Sequence, residues 1–312
     1  MTSTLHSSAS IDQAAVMTFE NEFQSLVQQK VSRLGSSAAV NFVPSSGLAY
    51  NARRIGRQTL VEVTSSNPEK QYTDAVYDNR QFTKTRLTRT VIVDNKDINE
   101  FIADPTSSLM SELVHAVNRH QDRVIAQAAG GAVLIGAPNT APTSVSAADD
   151  GVLTIDETTG GVDFETIQKV TENFINNEWD LEELRGTLIA LTGKEHNTLM
   201  GDTKFTSSEF IGGRPVDDGV MQRAGLYEVQ AFAGSVNGGI QIAQPILNEI
   251  SSGTVRENLV LAPGAIDLAA EINSLEVSKS TKHVNSVEIT VDFWIGGMRR
   301  EGARVQKIKT TV

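Results

Sequence analysis

The sequence predicts an α+β protein. Three observations carry that assignment. One long helical stretch runs over residues 104–130, two Thr- and Val-rich stretches at 53–66 and 80–94 read as long strands, and period-2 alternation marks strands at 287–295 and 303–309. Between them lie shorter helices and strands, mixed over residues 152–232.

The chain has 312 residues, enough for two ordinary domains or one large elaborated one, and burial of about three quarters of its unfolded surface is within reach. No apolar run approaches the ~18 residues that would span a bilayer. The start, Met1-Thr2-Ser3-Thr4-Leu5-His6, has neither the charged nor the apolar segment of a secretory signal, so the chain is expected in the cytosol. With no cysteine, disulfides, thiol nucleophiles, iron–sulfur clusters and thiolate zinc sites are excluded. The formal charge of −11 opposes adhesion to a phosphate backbone. That charge is segmented: residues 51–96 carry +4, residues 146–260 carry −12 and residues 276–312 carry +3.

Residues 1–10 are Ser/Thr-rich and read as a tail that orders against a partner. From Ile11 to Leu34, Val16, Phe19, Phe23, Leu26, Val27 and Leu34 recur at helical spacing, with Gly35 as a stop. That stripe suits core packing, and equally an arm laid on a neighbouring subunit. Leu60-Val61-Glu62-Val63-Thr64 and Phe82 to Val93 then read as the two sides of an extended hairpin, turning at Ser65 to Lys70. Its flanks carry Arg53, Arg54, Arg57, Arg80, Lys84, Arg86 and Arg89, and Lys70 stands at its tip. A ribbon of this kind lacks the apolar face of a sheet packed on its own core, so these eight cations are candidate contacts to another subunit.

Asp104-Pro105 supplies an N-cap and a first-turn proline for a helix ending at Gly130-Gly131. Leu109, Leu113, Val117, Val124 and Ala128 form one stripe, flanked by Met110, Val114, Ile125 and Ala129, over ~37 Å at 1.5 Å per residue. Asn139 to Gly161 reads as a connection with a minor strand at Val152 to Ile155. Further on, Phe164 to Asn177 is a helix after Asp163, Thr187 to Leu191 a buried strand, Lys194 to Met200 a helix and Glu228 to Phe232 a strand. Leu275 to Val277, Val287 to Ile295 and Ala303 to Lys309 close the chain in a sheet.

The catalytic templates fail on inspection. Gly186 and Gly193-Lys194 are too far apart for a phosphate loop, and Glu195 stands where the magnesium-binding hydroxyl belongs. Ser235 adjoins Gly234 rather than sitting mid-motif, so no nucleophile elbow forms. Glu112 and His115 have the spacing of half a carboxylate-bridged metal site without a second half. His6, His120, His196 and His283 are scattered, and Asp149-Asp150, Glu182-Glu183 and Asp217-Asp218 read as solvated acids. No catalytic residue, cofactor or metal is expected.

Two stretches carry a family likeness. The first runs from Asp78-Asn79-Arg80 to Asp94-Asn95-Lys96-Asp97, continues through Asp104-Pro105-Thr106-Ser107-Ser108, and includes Asn118-Arg119, Asp122 and Ala128-Ala129-Gly130-Gly131-Ala132. The second is Trp294-Ile295-Gly296-Gly297-Met298-Arg299-Arg300-Glu301, with Val305 and Ile308. In this order they resemble the major capsid proteins of tailed bacteriophages, which share the Hong Kong 97-type fold. The resemblance implies an N-terminal arm at 1–48, an extended β-hairpin loop at 49–97, a peripheral domain at 98–148 and 262–312 with a long spine helix at 104–130, and an axial domain at 149–261. The stretch Gly234 to Thr254 departs from the family pattern, which leaves the axial boundaries open.

It further implies self-assembly as pentamers and hexamers into an icosahedral shell around double-stranded DNA, held without specific binding or any membrane. The expected place is the virion capsid, built in the host bacterial cytoplasm. Portal, scaffolding and decoration proteins are the expected partners, a separate scaffold because no long charged helical extension precedes the arm. Lys70 matches a cross-linking lysine in position only, and no cross-link is expected. The charge map adds one expectation, that the basic ribbon lies over acidic surface on its neighbour. An encapsulin-like compartment, a tail-tube or other virion protein, and last an enzyme are the alternatives.

Overall fold

The computed structural model describes residues 28–44, 47–64, 66, 72, 74–94, 106–136, 141–157, 161–206, 216–217, 220–232, 255–283 and 285–311. The long helix, α1 (Thr106–Gly130), buries Leu113, Val117, Ile125, Ala126 and Ala129, while Leu109, Met110, Val124 and Ala128 are partly covered. Each large apolar side chain taken fully out of water contributes about 1.5–3 kcal/mol. The N-cap pair Asp104-Pro105 lies outside the described residues.

The helix packs on a four-stranded sheet in which β1 (Val40–Phe42) runs parallel to β14 (Ile266–Lys279), followed antiparallel by β15 (Ser286–Arg299) and β4 (Thr85–Asp94). Ile289, Val291, Phe293 and Ile295 alternate along β15 toward the helix. The opposite face is polar, with Arg86 against Asp292 and Thr90 against Thr290. A bulge between Ile272 and Ser274 interrupts β14.

A six-stranded mixed sheet forms the other half. Its order is β11 (Arg223–Ala224), β12 (Tyr227–Phe232), β8 (Leu188–Thr192), β13 (Val255–Leu261), β16 (Val305–Thr311) and β7 (Leu153–Glu157). Strand β8 is buried throughout, because both faces are covered. Leu188 and Ala190 join the core shared with α1, and Ile189 and Leu191 join a second core with α2 (Phe164–Asn176). Helix α2 opens on a capping box, Asp163 accepting from the Thr166 amide at 2.8 Å. Short helices α3 (Gly193–Gly201) and α4 (Thr203–Thr206) follow β8, then a two-stranded ladder of β9 (Val216–Asp217) and β10 (Val220–Met221).

The hairpin differs from the sequence expectation. Strand β2 (Ala49–Ile55) pairs antiparallel with β3 (Tyr77–Thr83), and β5 (Val133–Gly136) and β6 (Thr143–Val145) extend this third sheet. Leu60 to Thr64 forms no strand, and the expected single strand over 80–94 is two. The break falls at Lys84, whose amide donates to Leu48 O at 2.8 Å. Beyond it, Thr85 onward joins β15 of the helix-bearing sheet, where its apolar residues find a core. The ribbon base also has apolar packing of its own, Phe82 meeting Val133, Ala269 and Met298.

The expected helix over 11–34 falls largely outside the described residues. Its described end, residues 28–34, is not helical, because its polar groups are captured from outside the segment.

Candidate assembly surface and its anchor

Between Ile55 and Tyr77 the described residues carry apolar side chains into solvent. Leu60 is fully exposed, Tyr72 is 89% exposed, and Val61, Val63 and Val76 are exposed as well. Bare apolar groups of this kind are a template for contact with another chain.

The seven described candidate cations separate into two groups. Arg53 and Arg89 are exposed. Arg57 is exposed and bonds Glu178 Oε2 at 3.0 Å and Asn177 O at 3.2 Å. Arg86 is exposed and bidentate on Asp292, at 2.8 and 3.0 Å, 5.9 Å above the Trp294 ring. Lys70 lies outside the described residues.

The other three are drawn inward. Lys84 Nζ sits 3.8 Å from Glu271 Oε2 with its side chain nearly covered. Arg54 clasps Asp78 and donates to Arg300 O at 3.1 Å. Burial alone would lower the Arg54 guanidinium, but Asp78, together with Glu301 and Asp150, outweighs this and raises it. Hydrogen bonding from Arg54 in turn holds the Asp78 carboxyl below its ordinary value, as Arg86 and Asn273 do for Asp292.

Arg80 is buried, 1% exposed, and is bidentate on Asp150. Asp150 also accepts from Arg299 Nε at 2.8 Å, and Arg80 Nη1 donates to Arg299 O at 3.0 Å. Arg299 Nη1 reaches Ala129 O at 2.8 Å and Gly131 O at 2.9 Å, while Lys307 Nζ takes Gly130 O at 2.9 Å. Helix α1 has no basic residue in its last turn. Its C-terminal carbonyls are instead met by two cations from the end of the chain, where a positive charge is favoured by the helix dipole. Burial lowers the Arg299 guanidinium; Asp150 acts against that, and Arg80 adds to it.

Two glycines permit this packing. A Cβ on Gly296 would stand 2.8 Å from the Phe82 ring and from Thr83 O, so the ribbon base approaches β15 only over a bare backbone. One on Gly302 would stand 1.9 Å from Asp150 O. A fully buried carboxylate on α1, Asp122, accepts from the Arg33 and Leu34 amides at 3.0 Å and from Ser32 Oγ at 2.5 Å. Spacing gave no sign of Asp122 or Asp150 in these roles, since each partner lies tens of residues away.

Of the chemical candidates, Glu112 and His115 stand 3.8 Å apart, and no group of three metal-ligating side chains occurs among the described residues. A cleft of about 220 Å³ beside the ribbon is lined by Gly47, Leu48, Lys84, Glu271, Asn273 and Trp294. No described helix is long and apolar enough to cross a membrane. Gly234 to Gly238 lies outside the described residues.

Known proteins give a consistent picture. The capsid structure of the cyanophage P-SCSP1u is similar at 14% identity with a TM-score of 0.68, covering 96% of this chain and 94% of that one. The capsid of Helicobacter pylori bacteriophage KHP30 is similar at 11% identity and TM-score 0.70, covering 99% of each chain. That of cyanophage Pam1 matches at 11% identity and TM-score 0.70, covering 100% of this chain and 99% of the other. No curated protein matches the sequence. At these identities the likeness establishes the α+β capsid fold. The model of the family described as phage capsid protein matches residues 11–312, nearly the whole chain, and on that ground this protein belongs to the phage capsid protein family.

Proposed function

We propose that this chain is the major capsid protein of a tailed phage and builds an icosahedral shell around double-stranded DNA. The family match over residues 11–312 carries the reading. The ribbon, with its exposed Leu60, Val61, Val63, Tyr72 and Val76, supports it as surface that sister subunits would cover. Repetition of a weak contact around a closed shell makes each later contact effectively intramolecular, so no interface need be strong.

In this reading residues 1–48 are the N-terminal arm, 49–97 the extended loop, 98–148 and 262–312 the peripheral domain with α1 as its spine, and 149–261 the axial domain. Pentamers and hexamers form in the host cytoplasm with a separate scaffold, a portal and decoration proteins as partners. The acidic net charge suits a container that releases its DNA.

Expression of the chain followed by negative-stain microscopy tests the reading. Closed shells or capsomers support it, and a monomer at every concentration refutes it. Because Arg80, Lys84 and Arg54 are drawn inward onto partners of their own chain, contact to a neighbour falls to the exposed Arg53, Arg57, Arg86 and Arg89, with Lys70 at the expected tip. Reversing Arg53 and Arg89 to Glu should block assembly with the subunit still folded, and assembly should weaken with salt. Normal shells from that variant would remove the electrostatic part.

A further inference from the structure

We propose that Asp150, held between Arg80 and Arg299, is the positioning residue of the ribbon: it sets the angle at which β2 and β3 leave the body, and through that angle the curvature of the assembly. The inference rests on the capsid-building reading for its consequence, though not for its geometry.

Among the described residues the ribbon sheet has no backbone ladder to either large sheet. Its strand β3 passes into β4 across a single residue, Lys84, and β5 follows α1 after the short link at Gly131. Such joints swivel unless side chains hold them. Phe82 over Gly296 supplies one contact, and a flat apolar contact resists separation more than rotation. Directional restraint comes from Arg54 on Arg300 O and Arg57 on Glu178, and, in the buried base, from the ion centre. There Arg80 of the ribbon, Asp150 of the loop after β6, and Arg299 at the end of β15 meet, with Arg299 also gripping the α1 carbonyls.

This centre is short of acceptors. Two buried guanidiniums share one carboxylate, and among the described residues Arg80 Nε and Arg299 Nη2 have no hydrogen-bond partner. Among the described residues Asp150 is the carboxylate that bonds both buried cations and so holds them together. Without it they repel in a poorly screened interior, and the ribbon arginine is the one whose element is free to swing away. Gly302 holds Asp150 from behind, its backbone in contact with the Asp150 carbonyl.

Hydrogen exchange on the unassembled full-length chain tests this, because it reads the ribbon whether or not shells form. In Asp150→Asn, ribbon-sheet amides in 49–55 and 77–83 should exchange at least about tenfold faster, while those of α1 and β8 stay within about twofold. Arg80→Met keeps the Asp150–Arg299 pair and should loosen the same amides, which covers the case in which Asp150→Asn fails to fold. An unchanged ribbon in Arg80→Met, or exchange that rises equally throughout the chain, overturns the proposal. Microscopy then reads curvature: under conditions where the wild type closes shells, the Asp150→Asn product should be tubes, open sheets or shells of altered diameter. A loosened ribbon with wild-type shells overturns the link to curvature; absence of shells from the wild type itself counts against the capsid reading instead.

Discussion

Replacing Gly302 with alanine is the sharpest test of the packing behind the ribbon. The new Cβ would stand 1.9 Å from Asp150 O, 2.6 Å from its carbonyl carbon and 3.1 Å from the Gly151 carbonyl carbon, all backbone atoms. Ordinary contact begins at 3.4 Å, so the 150–151 backbone must retreat by about 1.5 Å. Overpacking of this kind costs about 1–3 kcal/mol, and the retreat also draws Asp150 off its arginines, toward the 3–5 kcal/mol of a broken buried pair. A loss of about 3 kcal/mol, roughly a hundredfold in the folding constant, is the expected result. Urea denaturation of the unassembled subunit, followed by the fluorescence of Trp179 and Trp294, measures it. Gly201→Ala is the control, since nothing lies within 4 Å of its Cβ position and it ends a helix, where alanine is favoured. A Gly302→Ala subunit within about 0.5 kcal/mol of wild type, or a Gly201→Ala subunit equally damaged, would refute the reasoning.

Three further outcomes are expected. Asp122→Ala leaves the Arg33 and Leu34 amides and Ser32 Oγ without their acceptor; at about 1–3 kcal/mol for each stranded buried group, residues 28–37 should detach and become protease-sensitive, and unchanged digestion would count against Asp122 as their anchor. Asp163→Ala removes the capping box of α2 and should cost about 1 kcal/mol, read as a lower denaturation midpoint, whereas Asp163→Asn should cost less. Asp78 and Asp292 are held below their ordinary value of 3.8 by hydrogen bonds from Arg54 and from Arg86 with Asn273. A folded-state value below the unfolded one gives stability that is complete above about pH 4 and lost as pH falls through the depressed values. Stability measured from pH 5 downward should therefore fall less steeply in Asp78→Asn or Asp292→Asn than in wild type, and identical slopes would contradict the assignment.

What could be read in the sequence follows from how local each signal is. Helix α2 begins where Asp163 and Thr166 announce it, because a capping box is closed by residues three apart. The five buried residues of β8 and the alternation along β15 were legible for the same reason: periodicity reports directly on which faces are covered. Strand β13 was not legible. Its Arg256, Glu257 and Asn258 do not resemble a buried strand, yet all three are buried. Lys307 lies 3.1 Å from Glu257, and Asn258 accepts the Thr192 amide at 3.0 Å, partners supplied only by neighbouring strands.

The division of the ribbon's charges shows the same limit. By itself the sequence determined the α+β class, the long helix and the absence of cysteine chemistry, since composition and short-range spacing settle those. Only the tertiary structure decided that the hairpin's second side divides at Lys84 between two sheets, and that Arg80 turns inward while Arg53 and Arg89 stay in solvent. A charge's partner is chosen by distance in space. Arg80, Asp150 and Arg299 meet only after three remote segments have packed, so their meeting leaves no trace in their spacing along the chain.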